Sequence, residues 1–154
     1  MLKHIGFIVA MVIVALLVFF FLIPFEDQFL DSMVTTGPEI TLDLWRESFK
    51  WWALVGVAIA LLMALLWFAL GQWWFSLNRI SSTDKRIIWI ALGVVALVAA
   101  VPGFVLTPAA QEGGRLAWPF YILNNSVVFY LSTVLFSPAS FKYTPWASSY
   151  VRWW

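Results

Sequence analysis

The residues able to do chemistry are few and unevenly placed. Six of the eight acids, Glu26, Asp27, Asp31, Glu39, Asp43 and Glu47, crowd into one stretch. Paired carboxylates can serve as general acid and base, but only where surroundings tune them. This stretch holds no histidine and no evident pocket, so a solvated acidic face is expected. His4 is the sole histidine and there is no cysteine. Thiol redox chemistry, thiolate metal sites, paired-histidine haem ligation and imidazole di-metal centres therefore lack their ligands. The chain has no Gly-rich phosphate loop, nucleophile elbow or zinc-binding helix motif. No catalytic residue, metal ligand or cofactor is predicted, and the expectation is a protein that is not an enzyme.

One polar cluster remains, Asn124-Asn125-Ser126, with Ser132 and Thr133 two turns on. It matches the N-glycosylation pattern, but its flanks are so apolar that it falls mid-membrane, where no glycan is added. An unpaired amide in hydrocarbon is costly, so these side chains must face another helix or water. They are read as interhelical hydrogen-bonding groups, or alternatively as the lining of a pore or cavity.

The element that positions this cluster is a membrane span. Of the 154 residues 63% are hydrophobic and 11% charged, with a mean hydropathy of +0.90. Soluble domains are about 45–50% apolar and about 25% charged. A net charge of +1 gives no footprint for nucleic acid. A spanning helix needs about 20 mostly apolar residues. Four stretches qualify, at about 5–25, 51–75, 87–106 and 116–136, so the fold class expected is an all-α integral membrane protein forming a single domain. The first run is longer than a signal-peptide core, and Ile23-Pro24-Phe25-Glu26 is no small-residue cleavage site. It is read as a retained anchor.

Orientation follows the positive-inside rule. With both termini cytoplasmic, Lys3, Arg79, Lys85, Arg86, Lys142 and Arg152 lie inside, and Arg46, Lys50 and Arg115 outside. Trp51, Trp52 and Trp118 then mark the outer interface, and Trp73, Trp74 and Trp89 the inner one.

Outside the bilayer, loop 26–50 carries Phe25, Phe29 and Met33 at helical spacing with Leu30 beside them, which reads as a short amphipathic turn. Pro38 suits the first position of a new helix, which can run unbroken into the second span. On that helix Asp43, Arg46, Glu47 and Lys50 form a polar stripe. Leu42, Trp45, Phe49 and Trp52 form an apolar one, which either packs on the chain's own amphipathic turn or docks a partner. At the C-terminus Trp146, Tyr150, Trp153 and Trp154 recur at helical spacing and read as an interfacial anchor in segment 137–154.

Inside the spans no ionisable residue is expected, which argues against proton-coupled transport. Small residues are abundant instead. Gly56, Ala60 and Ala64 make a ridge on the second span, and Gly93, Ala96, Ala100 and Gly103 a similar face on the third. Such residues let backbones approach closely, and a tight hairpin of spans two and three is expected. Pro102-Gly103 should kink or end the third span.

These features imply a non-catalytic structural or assembly subunit of a larger complex, in a bacterial inner membrane. Its partners would be other integral membrane proteins, as hetero- or homo-oligomer, and the lipid bilayer. The alternatives are a homo-oligomeric channel lined by the fourth span's polar face, and a binder of a quinone, carotenoid or lipid between helices.

Overall fold

The computed structural model describes residues 2–35, 41–75, 78, 81–107, 115 and 117–136. Every regular element among them is a helix. Three helical runs are long and apolar enough to cross a membrane: Ile5–Asp31, Leu42–Trp74 and Thr83–Leu106. The fourth expected span is present as a helix, Ala117–Phe136, but Asn124, Asn125, Ser126, Ser132 and Thr133 make it more polar than the other three. The C-terminal anchor Trp146, Tyr150, Trp153 and Trp154 lies outside the described residues, as do Pro38 and Glu39.

The first run is α1, Leu2–Leu17, a π-helical turn, Val18–Leu22, and α2, Ile23–Asp31. Pro24 explains the wide turn. It has no N–H to give the carbonyl of Phe20, and its ring crowds that carbonyl. The backbone opens by one residue, and Ile23 N–H donates to the Val18 carbonyl five residues back. The helix thus continues past 25, where the apolar pattern suggested an exit, to Asp31.

The second run is α3, Leu42–Ala69, prolonged by a second π-helical turn, Leu70–Trp74. It starts at Leu42, four residues after the proline that looked like its first turn. Thr41 caps it, its side chain accepting from Leu44 N–H at 3.3 Å; the cap satisfies one of the orphan donors of the first turn.

The third run begins with α4, Ser82–Val98. Ser81 Oγ accepts from Asp84 N–H at 3.1 Å and donates to the Asp84 carboxylate at 2.7 Å, a reciprocal cap. Lys85 and Arg86 therefore lie within the helix, as its fourth and fifth residues. The expected kink falls at Ala99–Ala100, where the chain turns into α5, Val101–Leu106. Pro102 cannot bond the Val98 carbonyl and its ring clashes there, so α4 ends at that residue.

Helix α6, Ala117–Phe136, packs most extensively on α3, and this pair is the centre of the bundle; α1 and α4 each lie against both of its members. The small residues explain the pairing. A Cβ at Gly56 would meet Asn125 Oδ1 at 2.6 Å, and one at Gly93 would meet the Phe129 ring at 3.0 Å. Ala60, Ala64, Ala96 and Ala100 are buried. Both small-residue faces thus admit α6: α3 and α4 do touch, but Gly56 and Gly93 are each filled from the fourth helix.

Candidate functional site

The polar interior is built around α6. Asn125 sits in the notch above Gly56 and donates from Nδ2 to the Ala96 carbonyl at 2.9 Å. One side chain therefore ties α6 to α4 while filling α3. The Ala100 N–H bonds the Leu97 carbonyl rather than that of Ala96, so Asn125 supplies a donor where the helix ends, and a neighbouring side chain satisfies backbone freed within a bundle. Ser126 turns back to the Ile122 carbonyl at 2.7 Å. Further along, Thr133 Oγ1 accepts from Trp89 Nε1 at 3.1 Å, again joining α6 to α4.

Asn124, next to Asn125, points the other way and donates from Nδ2 to Glu26 Oε2 at 2.7 Å. Glu26 is 1% exposed and Asn124 0%. Asp27 is also buried, and it is paired. Arg46 grips it with both branches of the guanidinium, Nε to Oδ1 at 3.0 Å and Nη2 to Oδ2 at 2.8 Å. Lys50 Nζ adds a contact to Oδ2 at 2.9 Å, and Arg46 reaches Asp31 at 3.7 Å. The planar fork of arginine matches a carboxylate at two points, so this contact fixes direction as well as charge.

These acids depart from the sequence reading in two ways. Glu26 and Asp27 are not part of a solvated face, and the first helical run extends past its expected end at 25 to carry them. The physical reason is visible in the helix period. If Phe25, Phe29 and Met33 share one face, then Ile23, Glu26, Asp27, Leu30 and Val34 occupy the other. The phenylalanines and Met33 are exposed while all five residues of the second set are buried. With lipid as the solvent, the apolar stripe faces out and the acids face in.

The stripe on α3 is likewise turned inward. Trp45 and Phe49 are fully buried, with Leu42 and Trp52 packed against the same core. Trp45 stacks on Phe49 at 5.9 Å between centroids, and Phe49 meets Tyr121 of α6 at 5.2 Å. The Tyr121 hydroxyl is 2.7 Å from Thr107 Oγ1, which donates to the Gly103 carbonyl at 2.6 Å. Gly103 itself lies flat against the Tyr121 ring, where a Cβ would come within 3.0 Å. Trp45 and Phe49 are thus buried in the chain's own core, with Phe49 against Tyr121 of α6, while Phe25, Phe29 and Met33 of the amphipathic turn face outward.

An open groove of about 330 Å³ runs between α4 and α6. Trp89, Ile90, Val94, Leu97, Phe129 and Tyr130 form its walls, and Gly93, Ala96, Asn125 and Ser126 its floor. It is nearly wholly apolar, and Asn125 and Ser126 each donate to a backbone carbonyl. No cluster of three or more His, Asp or Glu suited to a metal ion occurs among the described residues. Comparison of the chain with family models, curated proteins and solved structures finds no match.

Of the residues singled out in the sequence, Asn124, Asn125, Gly56 and Ala96 are brought together at the centre of the bundle. Glu26 joins them through Asn124, whereas Asp27 beside it pairs with Arg46 and Lys50; the signal that could have found both acids is the exposed phenylalanine stripe one face away.

Proposed function

We propose that this chain is a non-catalytic structural or assembly subunit of a larger complex in a bacterial inner membrane. In this reading it crosses the bilayer four times with both termini cytoplasmic, and the α4–α6 groove receives a transmembrane segment of a neighbouring protein. The groove is the observation that carries the proposal. Ile90, Val94 and Leu97 form an exposed apolar stripe at helical spacing along α4, and Val101 at the start of α5 is exposed beyond it. The stripe and the open groove beside it offer a neighbouring helix an apolar face to pack along, and van der Waals packing is what drives helix association where lipid is as apolar as leucine.

The groove's chemistry favours a helix over a cofactor. Sites for quinones and similar molecules add a few convergent polar groups to an apolar lining. Here both polar floor residues are already bonded within the bundle. A channel lined by Asn124 and Asn125 has less support, because both side chains are buried between the chain's own helices.

A photo-crosslinking amino acid at Val94 or Leu97, in cells, tests the assignment. A discrete protein adduct from these positions, with none from Ile8 on the exposed side of α1, is the expected outcome. Adducts to lipid alone at all three positions would remove the groove as a subunit contact.

A further inference from the structure

Glu26 and Asn124 form a pair whose hydrogen bonding is one donor short. Asn124 Nδ2 donates to Glu26 Oε2, while Glu26 Oε1 and Asn124 Oδ1 are both buried with no partner among the described residues. An ionised carboxylate only accepts, and an amide oxygen only accepts. Two orphan acceptors in one buried pair are expensive. A carboxylic acid and a primary amide are complementary, each offering one donor and one acceptor. One proton on Glu26 supplies the donor that is lacking.

The charges around Glu26 are committed elsewhere. On α2 itself, Asp27 is bonded to Arg46 and Lys50, and Asp31 is within reach of Arg46. Arg46 and Lys50 are the basic groups on the first turns of α3, whose Asp43 and Glu47 are exposed. From α6 the ionisable groups are Tyr121, held by Thr107, and Tyr130, farther along the helix. The described side chains of α1 and the π-helical turn carry none. Among the described residues no cation contacts Glu26, in contrast to its neighbour Asp27, so two adjacent acids are treated in opposite ways.

We propose that Glu26, with Asn124, is a proton-binding site inside the bundle, where Glu26 is held as the neutral acid and clasps α2 to α6. The same clasp makes the seating of α2 depend on that proton. Losing it would leave a bare carboxylate against an amide and the apolar wall of Leu30 and Ile23.

Infrared difference spectroscopy on the full chain in lipid nanodiscs at neutral pH tests this directly. The expected result is a carbonyl band of a protonated carboxylic acid that shifts on labelling with isotopic glutamate. Glu26→Gln, which keeps one donor and one acceptor, should fold and remove that band. Asn124→Ala should move its frequency by removing the amide partner. A labelled wild-type spectrum with carboxylate bands only would overturn the proposal, even if neither variant folded. So would a site showing carboxylate bands that change on adding sodium, since the ligand would then be a metal cation.

Discussion

At the scale of single residues, the bundle depends on one notch. Asn125 can reach the Ala96 carbonyl because Gly56 has no side chain to stop it. Gly56→Ala should therefore be worse than a generic glycine-to-alanine change in a helix, which normally favours helix formation. The added methyl lands 2.6 Å from the amide oxygen, and overpacking of this kind costs about 1–3 kcal/mol. Reversible unfolding in mixed detergent micelles should show a loss in that range. A stabilised Gly56→Ala protein would mean that α3 and α6 do not meet there. The hydrogen bond itself is the smaller part, since membrane hydrogen bonds average about 0.6 kcal/mol.

At the scale of elements, the joint between α2 and α3 is electrostatic on an otherwise apolar scaffold. Asp27 is nearly closed to solvent while the Arg46 side chain is 29% exposed. A double-mutant cycle of Asp27→Asn and Arg46→Gln should give a coupling of about 1–2 kcal/mol, below a fully buried charged pair because water screens the arginine. Arg46→Gln alone should be the milder single change, because Lys50 stays with Asp27; Asp27→Asn, which takes the shared carboxylate from Lys50 and leaves Arg46 only its longer contact to Asp31, should be the harsher one. Zero coupling in the same unfolding assay would contradict the joint. The helices themselves were legible from hydropathy, and Pro102 announced the break before α5. What could not be read was the facing of segments near 25–50. Apolar stripes there look like surfaces to be covered when water is the assumed solvent. At a lipid boundary the stripe of Phe25, Phe29 and Met33 is the outside, whereas that of Trp45 and Phe49 is the inside, and only packing distinguishes the two. The pairing of Glu26 with Asn124, 98 residues apart, has no local signature at all.

At the scale of the whole molecule, polar groups are drawn to the middle and apolar ones left outside. Asn124, Asn125, Thr133 and Glu26 hold α6 to its neighbours, while Phe20, Phe21, Val98 and Val105 point away from the bundle. Such an interior organises helices, and the contact surface proposed above is the outer face of α4 with the groove beside it. The central claim, that this surface joins the chain to other membrane proteins, is tested most directly by native mass spectrometry of the particle released in mild detergent. The account predicts a particle containing this chain together with at least one different polypeptide, lost when Val94 and Leu97 are replaced by bulky Trp. A particle of one chain with lipid alone, or of identical chains only, would contradict it.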